Sequence, residues 1–183
     1  MANELVWLDL EMTGLNPKRH RIIEIATVIT DSDLNIIAEG PEIVMHANET
    51  ILGRMNDYVH EMHQRSGLLE KVRNSKVTIE EAEKETLEFL NQHLDRKYRP
   101  PLCGNSIGTD RRFLAKSLPE IEDFLHYRSI DVSSVKELAK RWFPEILVDA
   151  PKKNGGHRAM EDIKASVEEL RFYRSRMFGS TEE

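Results

Sequence analysis

The sequence predicts an α/β fold: a mixed sheet sandwiched between helices. Two observations carry this. Three β-type segments follow one another closely within the first 46 residues, and helical periodicity then alternates with short apolar segments. The composition agrees, because 39% hydrophobic and 32% charged residues in a chain of 183 suit a globular protein with one core. We therefore expect a single domain over 1–183, with a core of about 1–177 and a short C-terminal tail.

The elements follow in order. Leu5–Leu10 reads as a strand, and Ile22–Thr30, rich in β-branched residues, as a second. Asn35–Ala38 and Glu42–His46 read as a third strand, broken by Gly40-Pro41. Short links between them predict an antiparallel meander. Thr78 with Glu81 makes a capping box, and Ile79, Ala82, Leu87, Leu90 and Leu94 recur behind it at helical spacing. Leu102–Asn105 is a short buried strand, Thr109–Ser117 a helix and Arg128–Val132 another strand. Ser134 with Glu137 is read as capping the next helix, whose apolar stripe is Val135, Leu138, Ala139 and Trp142 and which Pro144 ends. Asp149–Gly156 (DAPKKNGG) reads as a loop. The last helix starts near His157 and carries Ala159, Ile163, Val167 and Leu170 on one face. Trp7 and Trp142 are assigned to the core.

Charge and composition exclude several functions. The 26 basic and 32 acidic residues give a net charge of −6, so there is no global basic footprint for gripping a long polyanion. The runs Lys18–Arg21 and Lys152-Lys153 read as solvated loop charge. Cys103 is the only cysteine, which removes an internal disulfide and a thiolate zinc cluster. His60 and His63 stand three apart but lack a third ligand for zinc. No apolar run approaches the roughly 20 residues of a membrane span, and no basic stretch leads into an apolar one at the N-terminus. The expectation is a cytoplasmic protein without a membrane segment. Serine-hydrolase and nucleotide-kinase readings are both set aside, the latter because no G-x-x-x-x-G-K phosphate loop is present.

The chemistry lies in carboxylates placed where a core would want carbon. Side chains alternate across a strand, so Val6, Leu8 and Leu10 share one face while Asp9 and Glu11 share the other. Two neighbouring buried carboxylates repel each other and lose hydration, and a divalent cation removes both penalties. The competing explanation is a polar edge strand or carboxylates paired to arginine. Asp110 precedes Phe113 and Leu114 by three and four residues and so shares their inward face; its competing role is a helix N-cap. Asp162 borders the apolar stripe of the last helix. His157 precedes it by five residues, or about 500° of helical rotation, so the two side chains would diverge on one rigid helix. His157 is therefore expected at the helix start or in a loop, where a general base could meet a water. Glu24, mid-strand, is read as structural.

Three words bring these residues together: WLDLEMTGL, GNSIGTDRRFL and HRAMEDI. With the D-x-E, distant D and H-x₄-D spacing they resemble the DEDDh exonuclease superfamily. MTGLNP, SGLLEKVRNS and YRSIDVSSVKELAKRW resemble the oligoribonuclease family within it, nearly end to end. The resemblance implies an RNase H-like mixed five-stranded sheet flanked by helices, and a homodimer. It implies 3′→5′ removal of 5′-mononucleotides from RNAs of two to five residues with two divalent cations, Mg²⁺ or Mn²⁺. By motif position Asp9, Glu11, Asp110 and Asp162 would hold metal and His157 would be the base. Leu15 would wedge against the bases, with Tyr58 where tryptophan is common. Ser106, Arg128 and Ser133, with His63, would hold the substrate's 5′ phosphate, and Tyr127 would reach the neighbouring subunit's site. Thr109 stands where glutamine is expected. Two other readings differ in substrate or in kind: a related DEDDh enzyme acting on DNA ends or tRNA, and a catalytically silent RNA-binding protein.

Overall fold

The computed structural model describes residues 3–151 and 157–179. Lys152-Lys153, the Gly155-Gly156 end of the expected loop and the last four residues of the expected tail lie outside the described residues. Strand β1 (Leu5–Met12) pairs antiparallel with β2 (Ile22–Thr30), and β2 pairs antiparallel with β3 (Ile36–Val44). Then come α1 (Glu49–Leu52), α2 (Asp57–Arg65), α3 (Leu68–Asn74) and α4 (Ile79–His93). Next are β4 (Pro101–Gly104), α5 (Gly108–Ser117), α6 (Pro119–Phe124) and β5 (His126–Asp131). Last are α7 (Val132–Trp142), a 3₁₀ turn (Pro144–Asp149) and α8 (Ala159–Met177). The sheet order is β3-β2-β1-β4-β5, with β4 and β5 parallel to β1, as the mixed five-stranded expectation requires.

Each face of the sheet has its own cover. Val6, Leu8 and Leu10 pack with Leu90 of α4, Phe113 of α5 and Ile121 of α6. Trp7, Ala26 and Val28 pack on the other side with Ile163, Val167 and Tyr173 of α8. The Trp7 indole is fully buried, and its N–H donates to Thr30 Oγ1 at 3.0 Å, so its polar atom is satisfied. Every residue of β2 is buried, because helices cover both its faces. Ile23 joins Leu52, Leu68 and Val72 in a third cluster under α1 to α3.

The structure corrects four expectations. β3 is not broken at Gly40-Pro41. Glu39 pairs with Val28 and Glu42 with Ala26, so Gly40 and Pro41 oppose Thr27 as a bulge in an edge strand. Gly40 is required there, since a Cβ would lie 2.7 Å from the Phe89 ring and 2.9 Å from the Thr27 carbonyl oxygen. The cap of α7 is Asp131, which accepts from the Ser133 amide; Ser134 does not cap it. Trp142 is 64% exposed, because α7 is an outer helix that buries Val132 and Ala139 instead. Finally, residues 49–74 form α1 to α3, where the sequence reading placed no element.

Candidate active site

Strand β1 pairs with β4 only through Val6–Leu102 and Trp7–Cys103, while its pairing with β2 continues to Met12. Beyond Trp7 a crevice opens at the carboxyl ends of two parallel strands, where open α/β sheets bind ligands. The Leu10 amide has no β4 partner there. It donates to Asp110 Oδ1 at 3.1 Å instead, so a carboxylate completes the central strand. Asp110 is the third residue of α5, whose N-cap is Ile107. The alternative of an N-capping Asp110 is thus corrected.

Asp9 and Glu11 lie on the Trp7 face, the side that α8 covers. α8 delivers Asp162 to the same place. Among the described residues, ligand atoms of Glu11, His157 and Asp162 all lie within 4.8 Å of one another. His157 precedes the helix, in the left-handed region at φ +48°, and this turns it back toward Asp162. The five-residue spacing that would separate the two on a helix is bridged because His157 is not on the helix. Asp9 is partly buried two residues from Glu11.

Electrostatics suit this cluster to a divalent cation. Glu11 is 8% exposed, and burial, reinforced by Asp162, Glu24 and Asp110, pushes its pKa up to about 8 against the opposing pull of Arg158. Burial likewise pushes Asp110 up to about 7, although backbone amides, including that of Leu10, oppose the rise. Buried carboxylates that repel one another fit a hard divalent ion, which accepts oxygen ligands and offsets their negative charge.

Beside the cluster lies a cleft of about 820 Å³. Glu11 lines one part of it, and Leu15 (70% exposed) and Tyr58 (67% exposed) line another, with Arg19, Arg54 and Arg112. Leu15 sits on a loop closed by the Thr13 amide donating to the Arg21 carbonyl at 3.0 Å. Gly14 holds the turn at φ +153°, where a Cβ would meet the His20 ring at 2.7 Å.

A second polar group lies where β4 and β5 end. The Ser106 amide donates to Asp131 Oδ1 at 3.0 Å and to Ser133 Oγ at 3.2 Å, and Ser106 itself is left-handed at φ +54°. Arg128 and Tyr127 project from β5, with the guanidinium 5.4 Å from the Tyr127 ring centre and the tyrosine 75% exposed. No hydrogen bond joins Arg128's side chain to this serine pair among the described residues. His63, expected to help with the 5′ phosphate, is fully buried, and its Nε2–H donates to the Met12 carbonyl at 2.9 Å. Its Nδ1 stands 3.8 Å from Glu11 Oε2, beside the acidic cluster. Thr109 lies beside Asp110 and receives a contact from Arg112 at 3.2 Å.

Gly104-Asn105-Ser106-Ile107-Gly108 spells G-x-S-x-G, and the strand, left-handed serine and helix match a nucleophile elbow. Among the described residues, however, no general base stands at hydrogen-bond distance from the serine. Ser106 Oγ has Ser133 Oγ as its partner at 3.4 Å, and no histidine hydrogen-bonds it among the described residues. The motif is therefore not a serine-hydrolase site.

Sequence reasoning marked Glu24 as structural but found neither its partner nor the buried group around Asn105. Glu24 is wholly buried and paired with Arg158 through an Nη2–Oε1 distance of 2.6 Å. Asn105 donates to Ser166 Oγ at 2.8 Å and to Glu169 Oε2 at 3.1 Å, and Ser166 Oγ donates to the Asp162 carbonyl at 2.7 Å. That network ties the end of β4 to the helix bearing Asp162. A charged residue inside an otherwise apolar strand, IIEIATVIT, was the available signal for Glu24.

Fold and site together define an exonuclease-type protein, and a family model described as Exonuclease matches residues 6–170. Proteins named Oligoribonuclease share 52% identity in Marinobacter nauticus, with 97% of each chain covered, and 51% in Vibrio parahaemolyticus, with 95% of each covered. In Mycobacterium bovis the identity is 50%, over 97% of this chain and 83% of the relative. The chain belongs to the oligoribonuclease family of exonucleases. Among solved structures, the zinc-bound E. coli ExoI–ssDNA complex superposes with a TM-score of 0.73 at 14% identity over 97% of this chain. Exonuclease I from Methylocaldum szegediense superposes at 0.67 and 18% over 95%. Each match covers 41% of the solved chain, so this protein spans about two fifths of their length, and the likeness shows the shared RNase H-like fold.

Proposed function

We propose that this protein is a metal-dependent 3′→5′ exoribonuclease that degrades RNAs of about two to five residues to 5′-mononucleotides. The observation that carries the reading is the convergence of Glu11, Asp162 and His157 within 4.8 Å, beside an Asp110 anchored on the Leu10 amide. Asp9, Glu11, Asp110 and Asp162 hold two divalent cations, Mg²⁺ or Mn²⁺. Bound there, the cations sharpen the nucleophilicity of water and offset charge on the leaving oxygen. His157 accepts the proton of the attacking water, whose oxygen bonds to phosphorus as the P–O3′ bond breaks. The 3′ oxygen takes up a proton from solvent as it leaves, giving a mononucleotide and an RNA shorter by one.

Leu15 and Tyr58 hold the terminal bases in the cleft. Ser106, Ser133 and Arg128 receive the 5′ phosphate at the far end, which caps substrate length. Length selection by a cap agrees with a net charge of −6, since binding then needs no long basic track. Tyr127, exposed on β5, contributes to a partner's site in a homodimer. We place the activity in one exonuclease domain and in the cytoplasm; among the described residues no helix is long and apolar enough to cross a membrane.

The test is length-resolved kinetics with Mn²⁺ on 5′-labelled RNAs of two to twenty residues, with DNA of matched length in competition. The expected result is a sharp fall in kcat/KM beyond about five residues. Equal or faster cleavage of the long substrates overturns the short-substrate reading.

A further inference from the structure

We propose that Glu24 and Arg158 form a positioning clamp that aims His157 at the acidic cluster, an inference that rests on His157 acting as the base. Glu24 lies directly across the strand pair from Glu11 and is wholly buried. A buried carboxylate needs full compensation, and three donor groups supply it. Arg158 Nε lies 3.0 and 3.2 Å from the two carboxylate oxygens, Arg158 Nη2 lies 2.6 Å from Oε1, and the Ala159 amide lies 3.1 Å from Oε2. The guanidinium also reaches Glu42 on β3. Ala159 is the first residue of α8, so the same carboxylate satisfies one of the helix's otherwise unpaired amides.

Two consecutive residues are thereby fixed, one by its side chain and one by its backbone. The residue just before them is His157, at φ +48°, a conformation that a residue with a Cβ adopts only when its surroundings impose it. The clamp imposes it. It fixes where α8 begins and the direction from which the chain arrives, and so it places the imidazole within 4.8 Å of the Glu11 and Asp162 oxygens. Arginine suits the task because its planar fork engages both oxygens of one carboxylate, whereas a lysine ammonium would hold a single point.

A merely structural ion pair would weaken the protein whether or not His157 is present. The full chain is therefore assayed with Mn²⁺ and a 5′-phosphorylated RNA dinucleotide as Arg158→Lys and Glu24→Gln, each alone and combined with His157→Ala. With His157 present, Arg158→Lys is expected to lower kcat by ~10–100-fold, with KM and calorimetric Mn²⁺ affinity within about threefold of wild type. In the His157→Ala background the same change should alter kcat by less than about twofold, because interacting residues are not additive. Equal losses in both backgrounds, or a loss confined to KM or Mn²⁺ affinity, overturn the clamp. Glu24→Gln runs the same cycle if Arg158→Lys fails to fold. His157→Ala alone reports on the base assignment, and a loss under about tenfold overturns that assignment instead.

Discussion

The backbone amide of Leu10 donates to the carboxylate of Asp110 across 3.1 Å, joining the central strand to the first turn of α5 at the point where β4 has ended. One residue thus serves as strand partner and as prospective metal ligand. The two duties can be separated. Asp110→Asn keeps an oxygen for Leu10 and loses the charge; Asp110→Ala loses both. We expect both variants to lose Mn²⁺ affinity and nearly all cleavage. Only alanine should also lower metal-free stability, by about 1–3 kcal/mol for an unsatisfied buried amide. Calorimetric melting with EDTA and Mn²⁺ titration check this, and equal melting of the two variants would show the hydrogen bond to be idle.

The metal-free protein should become less stable as pH rises from about 5 to 8. Glu11 and Asp110 titrate near 8 and 7 in the folded chain, above the ordinary carboxylate range reached on unfolding. Between those limits the folded state binds more protons, so raising the pH favours unfolding. The effect is complete once pH passes the folded values. Divalent ions should flatten the profile, and their binding should release protons. Melting curves at pH 5, 6.5 and 8, with EDTA or with Mg²⁺, decide; a metal-free melting temperature that climbs across the range contradicts the assignment.

Leu15 and Tyr58 line the cleft beside Glu11 while remaining largely exposed. Their truncation should therefore leave the fold intact and weaken substrate capture. For Tyr58→Ala we expect a fall in kcat/KM for a dinucleotide corresponding to ~1–3 kcal/mol, the worth of one base stacked on an aromatic ring. Steady-state kinetics alongside thermal melting measure both quantities, and an unchanged kcat/KM removes these residues from substrate binding.

Asn105, Ser166 and Glu169 are joined by hydrogen bonds, and Glu169 also accepts from Lys136 at 3.0 Å and from the Tyr173 hydroxyl at 3.2 Å. Burial first, then the Glu169 charge, push the Tyr173 hydroxyl up to about 12, so it stays a donor at neutral pH. Asn105→Ala strips a donor from this buried network. It should lower stability by about 1–3 kcal/mol, a fall of roughly 2–12 °C in Tm for a chain of this size. A Tm within one degree of wild type would mean that the network relaxes freely.

How much of this was legible beforehand depended on range. β2 was read to its exact ends, because a run of β-branched residues between polar neighbours is a local signal. The Thr78–Glu81 box was equally local, and both of its hydrogen bonds form, at 2.8 and 3.2 Å. The alternation placing Asp9 and Glu11 on one face needed only the period of a strand. The misses were tertiary. Helices α1 to α3 run 4, 9 and 7 residues, too short for their periodicity to stand out, although Asn48 and Asn56 cap the first two. Trp142 ends an apolar stripe in which Ala139 is buried and Val135 packs on the core, while Leu138 and Trp142 itself lie exposed. The spacing of His60 and His63 hinted at ligands, yet burial decided the fate of His63. Glu24 and Arg158 are 134 positions apart, and no pattern along the chain announces that they meet.

The bulge at Gly40-Pro41 has a meaning for the protein's life in a crowded solution. β3 is a border strand, and an unguarded border is a template on which foreign strands can assemble. Pro41 offers no N–H to such a visitor, and the bulge breaks the even spacing that stacking would need. The irregularity that accommodates Phe89 on the inner side thus also discourages fibre-like growth along this margin of the sheet.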